Sequence, residues 1–436
     1  MTRANRKTAL AVFSHFDHPV IRLLSFSVLL FCLYSPSTAR GENDPSRQGN
    51  YARELIRQGD FEKGLEQLRS TYRIFPLNEP LKRNLAEGYA AYGHTLLKQR
   101  RYEQADENFA KAIELYPDDP SFAFMRGVCN YLLKKYDVAR YELERARGIT
   151  PDNVDTLYYL GLVVYETDDR PQAIELWEQA LKLAPGRKDI SDQLARAHKE
   201  MAVEDRMDQG HSSRFNLTYD PDVSSTLAQA VLDVLEEAYN QVGADMGSFP
   251  DARIPVVIYK RSDFQSVTDS PDWSGGLYDG TIRLPFGTME NISAPMRGIL
   301  FHEYAHVVVF ELTHGNCPTW LNEGIAEMFG RSQYARSMPE NHAARFAATT
   351  DVRKLEKGFG GFASKDALMA YQQSYSLVNY LVNTYGWPRV TQILTDLGNG
   401  MNMDEAVSAT LKSYDVDYNG LVKEWRQSVA RSTTGE

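Results

Sequence analysis

The stretch Phe301-His302-Glu303-Tyr304-Ala305-His306-Val307 decides how the C-terminal half of the chain is read, together with Pro318-Thr319-Trp320-Leu321-Asn322-Glu323-Gly324-Ile325-Ala326-Glu327 a short loop later. Residues four apart on an α-helix share a face, so His302 and His306 can offer two imidazole nitrogens to one metal ion. Zinc in a catalytic site commonly takes three protein ligands and keeps one position open, and Glu323 supplies a third. Glu303 is then left to act as a base toward water. The flanks are apolar, Met296, Ile299, Leu300 and Phe301 before and Val307, Val308, Val309 and Phe310 after, which predicts a helix buried through the middle of a domain. A second apolar helix carries Glu323 and Glu327 on one face. If these were only core histidines and a capping glutamate, several buried polar groups would lack partners.

The two segments resemble the gluzincin metallopeptidases, and Trp320-Leu321-Asn322-Glu323-Gly324-Ile325-Ala326 is close to the wording of their aminopeptidase-type branch and of the bacterial peptidase-MA-like domains. The resemblance implies a zincin-type domain in which His302, His306 and Glu323 bind Zn2+ and Glu303 is the general base. It also implies that Glu327 hydrogen-bonds the first histidine and so orients it. Further on, Leu377, Val378, Leu381 and Val382 keep helical spacing. In aminopeptidase-type gluzincins a matching helix begins with a tyrosine that stabilises the oxyanion, with a glycine fifteen residues on; Tyr371 and Gly386 keep that interval, and Tyr375 lies one turn later. Gly287-Thr288-Met289-Glu290-Asn291 differs by one letter from the motif that anchors a free amino end in that branch. Only ten residues separate Asn291 from His302, too few for a further strand before the helix. His314 misses the spacing of the three-histidine metalloproteases.

Upstream, Phe215-Asn216-Leu217-Thr218-Tyr219 alternates like a strand, Leu227 to Val242 repeats apolar residues at helical spacing, and Ile254 to Tyr259 reads as a buried strand. Gly275 to Leu284 reads as a hairpin turning at Asp279-Gly280. By analogy with gluzincins, its last strand, about Thr281 to Leu284, is expected at the sheet edge, where an extended substrate adds to the sheet.

Residues 50–186 repeat. Ala105, Ala139 and Ala173 are 34 apart, as are Gly93, Gly127 and Gly161, Ala112, Ala146 and Ala180, and Pro117, Pro151 and Pro185. This resembles the tetratricopeptide repeat, a helix-turn-helix unit with a small residue where its helices cross. An earlier unit, with Gly59, Phe61, Gly64 and Pro76, lies seven residues further out of phase, so its connection to Gly93 must hold extra helix. Stacked repeats leave a groove that takes a peptide or a partner's helix. Residues 187–214 read as a polar helix running out into a linker that ends Gly210-His211-Ser212-Ser213.

Arg3, Arg6 and Lys7 precede an apolar run, Leu23 to Tyr34, and the small residues Ser37-Thr38-Ala39, which predicts an export signal over residues 1–39. The run is too short for a stable membrane span after cleavage. The whole chain carries net −10, and removing four basic and one acidic residue with the signal leaves 44 basic against 57 acidic residues, which disfavours nucleic acid as a partner. Cys129, among Val128, Tyr131 and Leu132, reads as a buried thiol, and Cys317 lies in the loop before Glu323. The expected architecture is mostly α plus α+β. A helical-repeat solenoid at 50–186 and a helical linker at 187–214 precede a gluzincin-like domain at 215–430, with a frayed tail from Arg431. The resemblance implies an exported peptidase acting on a peptide or protein substrate, with a protein partner in the repeat groove. The alternative is an interaction scaffold with an inactive peptidase-like domain, and zinc hydrolysis of another bond is a third reading.

Overall fold

The computed structural model describes residues 44–167, 169–268, 275–286, 289–333, 351–359, 362 and 364–434. The expected export signal lies outside them. The chain forms two compact units that divide between His198 and Lys199. None of the described helices is long and apolar enough to cross a membrane.

In the first unit, consecutive helices pair as α1 (Pro45–Arg57) with α2 (Phe61–Ile74), α3 (Glu79–Lys98) with α4 (Tyr102–Leu115), α5 (Pro120–Leu132) with α6 (Tyr136–Ile149) and α7 (Val154–Glu166) with α8 (Arg170–Leu183). Asp119 and Asn153 cap α5 and α7 by accepting backbone N–H groups, which satisfies donors that no helical carbonyl can reach. Ala105, Ala139 and Ala173 are fully buried where the paired helices cross. Each repeat glycine faces a large side chain of the following helix: Gly93 meets Phe109, Gly127 meets Leu143 and Gly161 meets Trp177. The extra helix expected ahead of Gly93 is present. α3 has 20 residues where α1, α5 and α7 have 13. Cys129 is buried, and its Sγ donates to Tyr102 O at 3.0 Å. It and Cys317 are both free thiols.

The division between units falls inside α9 (Lys188–Glu204). Its Ile190 and Ala197 are buried in the repeat core, and Glu200 and Glu204 are buried in the second unit. The linker expected to run to residue 214 is therefore only partly a linker. Asp208–His211 forms β1, antiparallel to β2 (Phe215–Tyr219), with Ser212 N donating to Phe215 O across the turn. Its side chains are mostly exposed, so the strand carries no apolar alternation.

β3 (Ile254–Ile258), β4 (Leu277–Tyr278) and β5 (Ile282–Leu284) complete a mixed sheet of order β1-β2-β3-β5-β4. β5 pairs with β3 on one side and β4 on the other, so the edge is β4 and not the expected Thr281–Leu284 strand. Strand alternation divides the side chains. Val256, Ile258, Ile282 and Leu284 join the main core with α10 (Ser225–Met246) and α12 (Ala294–Thr313), whereas Val257 and Tyr259 pack with Phe264 and Val267 of α11 (Arg261–Thr268). Beyond α12 come α13 (Thr319–Ser332), a 3-10 turn at Val352–Lys357, α14 (Ser364–Tyr385), α15 (Trp387–Gly398), α16 (Met403–Thr410) and α17 (Tyr418–Thr434). The expected tail at Arg431 is instead helical through Thr434, because nothing before Gly435 breaks the helix.

A Cβ at Gly161 would lie 2.3 Å from Trp177 Nε1, and that indole is fully buried and donates to Tyr158 O at 3.1 Å. Gly161→Ala should therefore destabilise the repeat unit by about 2 kcal/mol. Gly148→Ala, where nothing lies within 4 Å, should stabilise it by about 0.5 kcal/mol. Urea unfolding followed by Trp177 fluorescence checks both, and equal midpoints would refute the crossing argument.

Candidate metal centre

α12 is apolar nearly all round, with Leu300, Phe301, Tyr304, Ala305, Val308 and Val309 buried, as suits a helix enclosed on every side. Ser293 caps its start by accepting from Met296 N, and His314, in the left-handed region with φ 48°, ends it. α13 runs antiparallel beside it, since His302 approaches Glu327 while His306 approaches Asn322. The two backbones come close because Gly330 faces Gly298 O, which a Cβ would meet at 3.0 Å. On its other side α13 presses on α14, where a Cβ at Gly324 would lie 2.5 Å from Ser374 O. Asn316 Nδ2 donates to Leu397 O at 2.6 Å, which ties the loop before α13 to α15.

These contacts bring together His302, His306 and Glu323, whose ligand atoms lie within 4.8 Å of one another. Glu323 Oε2 is 3.6 Å from Nε2 of each histidine, and the two Nε2 atoms are 3.2 Å apart. Glu323 is buried, while 19% of the His302 side chain and 11% of that of His306 remain exposed. Cys317 is not in the cluster; burial and the Glu323 charge push its thiol up.

Burial pushes the histidines down, His302 to about 4 with help from the Arg331 charge and His306 to about 3 with help from His302. Both are thus held neutral, the form that binds a metal. Burial pushes Glu303 up to about 8, with the Asp279 charge adding to it. Glu323 is raised well above the usual carboxylate range by burial, and the charges that reach it, those of Glu303 and Glu327, share its sign. Two neutral nitrogens and a carboxylate surrounded by further carboxylates fit a divalent cation, which supplies the missing positive charge.

Glu327 Oε1 is 3.7 Å from His302 Nδ1, too long for a hydrogen bond, and its other oxygen accepts from Arg331 Nε at 2.6 Å. Asn322, which sequence reasoning missed, lies with Oδ1 2.9 Å from His306 Nδ1. With Nδ1–H donating to that amide oxygen, the His306 Nε2 lone pair is left toward Glu323. Its signal in the sequence is only its place beside the acidic residue.

Tyr371 packs edge-on against Phe359, with ring centroids 5.2 Å apart. Its phenol is raised well above the usual value by burial and then by the charges of Glu323, Glu327 and Glu303. The alternative, Tyr375, is engaged otherwise. Arg331 lies over its ring at 4.2 Å. Gly276 also borders the site unforeseen, since a Cβ there would lie 2.7 Å from Glu303 Oε1. Gly287 and Thr288 lie outside the described residues.

Residues 235–431 match the Peptidase MA superfamily, and residues 91–154 match the Tetratricopeptide repeat. Among curated proteins, the mitochondrial import receptor subunit TOM70 of Homo sapiens is 29% identical over 108 residues, covering 24% of this chain and 18% of that protein. The CTR9 homolog of Arabidopsis thaliana is 22% identical over 158 residues, covering 35% of this chain and 14% of that protein. The chain thus spans less than a fifth of the length of these relatives. Among solved structures, MamA from Desulfovibrio magneticus RS-1 is 22% identical with a TM-score of 0.31, covering 38% of this chain and 88% of that one. The first repeat domain of Spaghetti (RPAP3), bound to an HSP90 peptide, is 20% identical with a TM-score of 0.26, covering 27% and 93%. The chain carries a Peptidase MA superfamily domain, preceded in sequence by tetratricopeptide repeats.

Proposed function

We propose that this protein is an exported zinc-dependent peptidase of gluzincin type whose repeats recruit a protein substrate or partner. The observation that carries the reading is the convergence of His302, His306 and Glu323 beside the buried Glu303 carboxylate. Export rests on the charge and apolar pattern of residues 1–39. Recruitment rests on the repeats, since a stacked helical array offers a continuous surface for a peptide or helix.

His302, His306 and Glu323 would hold the ion, and Asn322 would fix the His306 ring. Bound there, zinc supplies a Lewis acid that polarises the scissile carbonyl and acidifies water. Glu303 takes the proton from the attacking water and passes it to the leaving nitrogen, so that the amine departs neutral. A carboxylate buried by apolar helices suits this exchange, because its affinity for the proton is raised toward that of the groups it serves. The Tyr371 hydroxyl donates a hydrogen bond to the oxygen on which charge develops, an interaction that strengthens only as water attacks. Burial and the neighbouring carboxylates keep that phenol protonated and able to donate.

Purified chain should bind one equivalent of zinc by mass spectrometry. His302→Ala, His306→Ala or Glu323→Ala should weaken retention by more than about a hundredfold, and Asn322→Ala by about tenfold. Zinc binding undisturbed in all four variants would remove these residues as ligands and orienter. A mixed, unstructured peptide library should be cut by residues 40–436. Glu303→Gln should lower turnover by about a thousandfold with zinc retained, and Tyr371→Phe by about a hundredfold. If wild type and Glu303→Gln both bind zinc and neither cuts, the scaffold reading replaces this one.

A further inference from the structure

Arg283 stands on β5 between Ile282 and Leu284, which both face α12, so alternation sends its side chain to the opposite face of the sheet. There its guanidinium is 2% exposed and meets four partners. Nη2 donates to Glu200 Oε1 at 3.1 Å and Nη1 to Glu204 Oε1 at 3.3 Å, both on the last turn of α9. Nη1 also donates to the Tyr259 hydroxyl at 2.5 Å, and that hydroxyl donates in turn to Glu204 Oε1. Nε donates to the Asp279 carboxylate at 3.2 and 3.3 Å.

Asp279 opens the turn between β4 and β5, and its carboxylate also accepts from Thr281 N. The other end of the same hairpin runs close against α12. A Cβ at Gly275 would meet Ile299 Cδ1 at 2.8 Å, and one at Gly276 would meet the Glu303 carboxylate. β4 pairs with β5 over two residues, and its Tyr278 packs edge-on against Phe310 of α12. A buried arginine among carboxylates adds little net stability, because desolvation offsets attraction. Its planar fork fixes the direction of several acceptors at once.

We infer that Arg283 is a positioning residue for Glu303: from the far face of the sheet it clamps Asp279 and the α9 carboxylates, and so holds the Gly275–Gly276 backbone as a fixed wall against the Glu303 side chain. The role in turnover rests on the peptidase reading, and the placement of the hairpin does not. The clamp limits the positions open to a base that must meet both a water and a leaving nitrogen.

The test uses the full zinc-loaded chain with Asp279→Asn, which cuts the link while keeping shape, and Arg283→Lys, which keeps charge and loses the fork. Peptide turnover, zinc content and backbone hydrogen exchange are measured on each, with Arg353→Lys, at the surface pair with Asp404, as control. Both variants should lower kcat by about tenfold with KM changed less than about threefold and zinc unchanged. Exchange should rise at residues 275–284 while α12 stays protected. Unchanged kcat and exchange overturn the inference, and so does loosening of α12 together with the hairpin, which marks a merely structural role. If wild type itself turns over no peptide, the peptidase reading falls. The exchange result alone then decides: a rise confined to the hairpin supports the clamp, and its absence overturns it.

Discussion

The second unit is organised by the need to compensate charge taken out of water. Glu303 and Glu323 are buried between apolar helices beside two imidazoles, and a buried carboxylate without a partner is among the costliest groups a fold can carry. Arg331 answers Glu327, and Asn322 engages His306. The charges that reach Glu323, those of Glu303 and Glu327, share its sign. The glycines at 324 and 330 show how closely these helices approach, since each lacks the side chain that would hold two helices apart.

The repeats and the main helices were legible in the sequence because both depend on periodicity. A 34-residue recurrence of glycine and alanine fixes where helices cross, and the apolar flanks of His302 and His306 fix a buried helix. Short strands were harder to read. β1 is polar and exposed, held by main-chain pairing that leaves no trace in side-chain pattern, so Asp208–His211 read as linker. The place of the hairpin in the sheet was missed for another reason. Sequence gives the strands of a hairpin but not which of them docks on a third strand, and here the second docks on β3.

At the site, the residues set by helical spacing were legible, and those set by tertiary approach were not. His302, His306 and Glu323 stand at intervals that a helix and a following helix dictate. Asn322, Gly276 and Asp279 reach the site through packing between separate elements, which no local pattern records. In the sequence Tyr371 is favoured over Tyr375 only by its interval to Gly386, since one turn apart the two share a helix face. In the structure the charges of Glu323, Glu327 and Glu303 act on the Tyr371 phenol, and the Arg331 guanidinium lies over the Tyr375 ring.

The length of α3 carries a consequence for the repeat array. It exceeds its counterparts by seven residues, and a heptad turns an α-helix through two revolutions less only about 20°. The insertion therefore lengthens the helix almost without rotating its faces. Leu81 and Leu85 pack in the core of the first helix pair and Leu96 and Leu97 in that of the next, so a single helix serves two cores. An insertion of five residues would have swung one of those stripes into solvent. The irregular first repeat is thus a phase-preserving extension of the array, tolerated because its length is close to a whole number of helical turns.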